Sequence, residues 1–304
     1  MSSLINTLTT IRTTEQKMLV VGLHVGIIQS ILDFDAMLGK ATPSVSAIVV
    51  GNRKVVKFFF GGKEILIPCF PSIALVPKEM STEINFLLNL QSGRRVKETT
   101  TQFFETFSHA LGAHLFAENV PENHALELKE QFPDKCIAGP SGVGLLVPGH
   151  LKLGAIGGVT PPQIVGSALL TPGNVAVIST SGGMVGELIR SLANAGRRMS
   201  FAACVGGERF PISSYTDFFL LAEADPETKG VLYYGELGGE DEYEIAELIK
   251  NGFFTKPLVA YVAGTVDESF PERTQFGHAR ALAQNKSESA RAKRDVLKAA
   301  GAVA

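Results

Sequence analysis

NVAVISTSGGMVGEL, residues 174–188, reads as a β-strand that turns at Ser181-Gly182-Gly183 directly into a helix. The short apolar run suits a strand buried on both faces, and apolar residues recur at helical spacing after the glycines. Toward the C-terminus the alternation continues. FAACVGG (201–207) and VLYYGELGG (231–239) read as strands with glycine-rich ends, EDEYEIAELIKNG (240–252) as a helix and PLVAYVAG (257–264) as another strand. SESARAKRDVLKAAGAVA (287–304) is a last helix, charged on one side. Toward the N-terminus the same pattern runs through strands 17–22, 46–51, 83–89, 114–118 and 135–139, with helices at 26–38 and 98–111. Strands alternating with helices imply an α/β fold whose sheets are mostly parallel and covered on both faces. Between the two runs, GPSGVGLLVPGHLKLGAIGGVTPP (139–162) is dense in Gly and Pro, as a linker or shaped loop would be. Two α/β domains are therefore expected, at 1–167 and 168–304.

The bulk numbers exclude several classes. With 304 residues, 45% hydrophobic and 19% charged, the chain has ample volume for packed cores and no signature of disorder. A net charge of −2 without a Lys/Arg cluster argues against nucleic acid. Cys69, Cys136 and Cys204 have no CxxC spacing, which argues against a zinc site or disulfide framework and fits a reducing cytoplasmic setting. The first seventeen residues hold no continuous apolar run, so neither a signal peptide nor a membrane span is expected there.

In parallel sheets ligands bind beyond the carboxyl ends of strands, so the residues after each strand carry the functional reading. At 181–183 a strand enters a helix through Ser-Gly-Gly. Free N–H groups at a positive helix start suit a phosphate, with Ser181 as cap and Gly182 and Gly183 allowing close approach. A tight turn without a ligand has the same pattern. There is no GK[ST], and GLHVGIIQ (22–29) is not GxGxxG, so neither a P-loop nor a plain nicotinamide-dependent dehydrogenase fits. His278, directly after Gly277 in TQFGHARALA (274–283), lies in a loop where a ligand can approach. On local pattern alone a surface or capping histidine is the commoner reading. Glu118 and Glu236 stand at strand ends. A carboxylate holding one ring N–H of a histidine would fix its tautomer for nucleophilic attack. Singly, each reads equally as a helix cap or a solvated residue.

Together these segments resemble a known family. GPSGVGLLVPGHLKLG, VISTSGGMVGEL, VGGERFP, YYGELGGEDEYEIAELIK, TKPLVAYVAGT and QFGHARA occur in the order found in the α-type portion of the succinyl-CoA synthetase superfamily of NDP-forming acyl-CoA synthetases. LDFDAM, PSVSAIV, GGKEILIP, GFFTKPLVAYVAGT and AQNKSESARAKRDVLKAAG resemble its ATP-citrate lyase branch, and the likeness runs from about residue 17 to 301.

The resemblance implies a Rossmann-like CoA-binding domain followed by a flavodoxin-like CoA-ligase domain. It implies an ATP-dependent acid–thiol ligase that makes citryl-CoA from citrate, CoA and ATP. His278 would be the phosphohistidine, oriented by Glu236 and Glu118, with Ser181, Gly182 and Gly183 receiving the phosphoryl group. CoA would be met at Gly22, at Ile67 and Pro68, and at Phe116 and Ala117. ATP with Mg2+ would sit mainly on a β-type ATP-grasp partner, and a citrate synthase-like module would lie outside these residues. Two alternatives stay open: a succinyl-CoA ligase α subunit acting on succinate, and a CoA-binding assembly subunit without catalysis. The chain departs from the family pattern in three places. Arg280 stands where the family has Gly, Thr180 where it has Arg, and NLQSGRRVKET (89–99) differs after its strand. Arg280 is expected either to hinder a swinging loop or to help hold phosphate.

Overall fold

The computed structural model describes residues 2–304 and contains two sheets. The first uses β1 (Lys17–Val21), β2 (Val45–Val49), β3 (Val55–Phe60), β4 (Lys63–Phe70), β5 (Ile84–Asn89), β6 (Gly112–Leu115) and β7 (Cys136–Ala138). The second uses β8 (Gly144–Val147), β9 (Leu151–Gly154), β10 (Val175–Ser179), β11 (Met199–Cys204), β12 (Gly230–Glu236) and β13 (Leu258–Ala263). The strand orders are β3-β4-β2-β1-β5-β6-β7 and β13-β12-β10-β11-β8-β9. Within them β1, β2, β4, β5, β6 and β7 pair in parallel, as do β10, β11, β12 and β13. Among the described residues antiparallel pairing is confined to β3 with β4, and to β8 with β9 and β11.

Burial explains why these segments are strands. Apart from their first residues, β1 and β10 are buried throughout, as continuous apolar runs between two helical layers should be. The helix Val25–Met37 turns Ile27, Ile28, Ile31, Leu32 and Phe34 inward, and the helix Gly182–Asn194 contributes Val185 and Ile189. One hydrophobic cluster runs through both sheets, from Val20 and Ile28 to Ile178 and Phe201. The N-terminal helix Thr7–Thr13 also bridges them, because Arg12 pairs with the buried Asp225 at 2.6 Å.

Each sheet has a point where successive connections leave in opposite directions. In the first it is β1, flanked by β2 and β5; in the second it is β10, flanked by β11 and β12. These are the places where an open α/β sheet forms a ligand crevice.

Three details differ from the sequence reading. The hairpins β3–β4 and β8–β9 were not expected, and β8 and β9 (144–154), placed in the first domain, pair within the second sheet. The changeover lies between Ala138 and Gly144. The strand read at 114–118 ends at Leu115, so Phe116, Ala117 and Glu118 are loop residues. The last helix covers Ala290–Ala299, after which Val303 pairs in parallel with Val259. Among the described residues no helix is long and apolar enough to cross a membrane.

Candidate active site

At the end of β10 the Ser179 hydroxyl accepts the Ser181 N–H at 3.1 Å and donates to the Ser181 carbonyl at 2.9 Å. This pins a turn whose next residue opens the helix Gly182–Asn194. The Ser181 hydroxyl caps that helix by accepting the Met184 N–H at 3.4 Å. The N–H groups of Gly182 and Gly183 belong to the first turn, which a helix leaves without internal acceptors. A Cβ on Gly182 would lie 2.6 Å from Val143 Cγ1, so glycine lets the 141–143 loop seat against the helix start. The result is a positive, amide-lined end with no acidic residue in its first turn.

His278 meets this end from a loop that follows β13. Its Nδ1 lies 2.8 Å from Glu236 Oε2, the carboxylate on the last residue of β12. The side chains are 31% and 11% exposed, so the pair is partly desolvated but reachable. With Nδ1–H donating to Glu236, the neutral ring presents Nε2 as its free lone pair. The histidine pKa is raised above the usual 6.5, first by the hydrogen bond to Glu236; burial opposes this, and the charges of Glu236, Glu118 and Glu208 reinforce it. Beneath the ring lies Gly207, where a Cβ would be 2.5 Å from His278 Cδ2.

Phe116, Ala117, Glu118, Ser141, Gly142, Val143, Ser181, Gly182, Gly183 and His278 line one cavity of about 450 Å3 between the two halves of the chain. Six residues singled out in the sequence besides His278 thus meet at one place. Glu208, from the loop after β11, accepts the Asn119 N–H at 2.7 Å and so ties the 116–119 loop to the second half. Its carboxyl pKa is pushed up by burial and by the charges of Glu118 and Glu122, against the backbone bond from Asn119. Asn119 (φ 56°) and Ser141 (φ 58°) both hold the left-handed conformation, a cost that concentrates at functional loops.

Other expected residues lie elsewhere. Gly22 (φ 96°) ends β1 at the switch point of the first sheet, ahead of the helix Val25–Met37. Leu90 donates to Val21 and Phe116 donates to Asn89, so the ends of β1, β5 and β6 form one stepped row. Gly22 and Phe116 both lie along this row, and Phe116 also lines the His278 cavity. Ile67 is a correction. Its side chain is buried in the core because it faces inward opposite Val56, so only Pro68 of that pair is partly exposed. Arg280 is another. Its guanidinium is buried and bound to Tyr215 and Asp241, so it neither lines the cavity nor holds phosphate there. Thr180 is buried against Tyr215 and Tyr234 and does not face the cavity.

Sequence reasoning missed Glu208, Gly207 and Ser141. Each carried a signal. VGGERFP repeats the pattern of GELGG, a strand end with glycines and a carboxylate, and Ser141 lies in the Gly/Pro-dense stretch.

Residues 178–303 match the CoA-ligase family. Over 289 residues the chain is 36% identical to a probable ATP-citrate synthase subunit 1 of Schizosaccharomyces pombe, covering 93% of this chain and 46% of that protein. Over 300 residues it is 37% identical to human ATP-citrate synthase, covering 96% of this chain and 27% of that one. Its fold superimposes on an ATP citrate lyase from Methanothrix soehngenii, solved in complex with citrate and coenzyme A, with a TM-score of 0.90 at 36% identity over 95% of this chain and 47% of that one. The chain spans less than half the length of each of these relatives.

Proposed function

From a chain that belongs to the ATP-citrate lyase and CoA-ligase family, we propose the phosphohistidine portion of a citryl-CoA-forming ligase, acting with an ATP-grasp partner. The observation that carries this reading is the His278–Glu236 pair, 2.8 Å apart, in a cavity shared with the Ser181–Gly183 helix start and Glu118.

In the first step Nε2 of His278 attacks the γ-phosphorus of ATP held with Mg2+ on the partner. An N–P bond forms, the P–O bond to ADP breaks, and Glu236 stabilises the positive ring. The phosphoryl oxygens are then received by the amides at Gly182 and Gly183, which supply fixed dipoles in place of cationic side chains. A citrate carboxylate oxygen attacks the phosphorus, giving citryl phosphate and free His278. Finally the CoA sulfur, having lost its proton to solvent, attacks the acyl carbon and phosphate leaves.

CoA fits the carboxyl edge of the first sheet. Gly22 with the helix start at Val25 would take its pyrophosphate, and Phe116 and Ala117 would carry the thiol arm to the cavity. Glu118 and Glu208 add charge that holds the imidazolium form of the intermediate ring.

The test uses the chain combined with its ATP-grasp partner and γ-labelled ATP. Acid-labile, base-stable label on the wild type, absent in His278→Ala, is the expected result. No label on the wild type refutes the reading, and label that survives the substitution refutes the residue. Discharge of that label by citrate with CoA, and not by succinate, is expected for the citrate branch.

A further inference from the structure

Arg280 follows His278 by two residues, yet it is only 7% exposed. Its side chain turns away from the cavity into the interior of the second half of the chain. Nη1 donates to the Tyr215 hydroxyl at 2.9 Å, and Nη2 pairs with Asp241 at the start of the helix Asp241–Lys250. The guanidinium also stands 5.0 Å from the centroid of the Tyr215 ring. Because the hydroxyl accepts from Arg280, its own proton is directed onward, to Thr180 Oγ1 at 2.9 Å. Thr180 Oγ1 donates in turn to the Tyr234 carbonyl at 3.3 Å. The hydrogen bonds thus run in one direction from the His278 loop to the residue immediately before Ser181.

The backbone supports the same seat. The Arg280 N–H donates to the Gly207 carbonyl at 3.3 Å, and Gly207 is the residue under the His278 ring. Gly238 leaves room for the Arg280 carbonyl, and a Cβ on Gly239 would lie 3.0 Å from Arg280 Nη2. The loop therefore rests on the turn that begins with Glu236. A buried cation is costly unless paired, and an apolar side chain would fill the same space without a desolvation cost. What the guanidinium adds is direction: two forks aimed at two different elements.

We propose that Arg280 is a positioning residue that seats the His278 loop on the Glu236 turn and, through Tyr215 and Thr180, locks it in register with the Ser181–Gly183 helix start. This rests on the phosphohistidine reading, since the register matters only if a phosphoryl group on His278 must face those amides. The carboxylates whose charge acts on the ring are Glu236, which bonds it, Glu118 and Glu208, and none of them is bonded to Arg280.

The full chain tests this without a partner. Phosphoramidate supplies the phosphoryl group, phosphorus NMR follows its appearance on His278, and carbon–proton NMR follows the ring's titration. In Arg280→Ala and Tyr215→Phe, labelling should slow by about tenfold or more, as expected for a displaced nucleophile, and the His278 titration should move back toward the ordinary histidine value. Arg280→Lys should recover part of both. A filler role would lower the unfolding midpoint and leave the titration of the folded protein where it was. The proposal is overturned if Tyr215→Phe, or a folded Arg280→Ala, titrates and labels like the wild type. If Arg280→Ala does not fold, Tyr215→Phe decides. Absence of label on the wild type would sink the phosphohistidine reading, while the titration still judges Arg280.

Discussion

Replacing Gly207 by Ala puts one methyl group under the imidazole of His278. The new Cβ would stand 2.5 Å from Cδ2, 2.6 Å from Cγ and 3.0 Å from Cβ of the histidine. Ordinary carbon contacts lie near 3.5 Å, so the ring must move by about 1 Å. Its bond to Glu236 is 2.8 Å long and tolerates little of that displacement. A hydrogen bond to a charged group contributes about 1.5–3 kcal/mol, which corresponds to a loss of about 10- to 160-fold in the rate of His278 phosphorylation. Stability should change far less. Gly207 does not need a left-handed backbone, and the obstructing atoms belong to a partly exposed side chain on a loop. The assay is the initial rate of label incorporation, read beside the unfolding midpoint and the His278 titration. Wild-type labelling with an unchanged titration would show that the ring does not occupy this seat when it reacts.

Two further outcomes follow from the same contacts. Glu236→Gln removes the largest cause of the raised His278 pKa, so the rise of labelling with pH should begin at lower pH, nearer 6.5, and reach a lower plateau. In the wild type the matching stabilisation is fully present below the unfolded histidine pKa and fades as pH rises through the raised folded value; a labelling profile unmoved in the variant would show that Glu236 does not raise the His278 pKa. Lys293→Met should cost about 3–5 kcal/mol in urea unfolding, because Lys293 and Glu242 are a buried pair at 2.6 Å and Lys293 also binds the carbonyls of Glu236 and Gly238. A loss below about 1 kcal/mol would mean that the Glu236 turn is held by something else.

The parts of the fold that were legible are those where one periodicity decides. β1 and β10 are buried runs bounded by glycine or serine, and the helices after them carry apolar residues at helical spacing, with Ser30 and Asp35 buried among them in the first. The β3–β4 hairpin was not legible as a βα unit because β3 alternates between exposed and buried residues, unlike the continuous apolar runs of β1 and β10. Its Gly61-Gly62 turn between two apolar runs was nonetheless a hairpin signal. The helix Tyr215–Ala224 was marked by a capping box at Ser214 and Asp217, and β8 and β9 lay in a stretch whose glycines read as linker.

The site was legible by type and illegible by meeting. Histidine after glycine, carboxylate at a strand end and Ser-Gly-Gly before a helix each state a local conformation. Their convergence depends on contacts such as Asn119 to Glu208, 89 residues apart, which no local pattern encodes. The electrostatics of that convergence explain why the helix start matters. The charges of three carboxylates act on His278, and they favour a positive ring but oppose a phosphoryl dianion upon it. The buried guanidinium of Arg280 spends its donors on Tyr215 and Asp241, so it does not offset that repulsion. Beside His278 in the cavity stands the amide end at Gly182 and Gly183, whose dipoles are fixed before the charge arrives. A phosphoryl group on Nε2 would therefore be held only where the loop registers with those amides, which makes the placement of the loop, more than the basicity of the histidine, the quantity on which the chemistry depends.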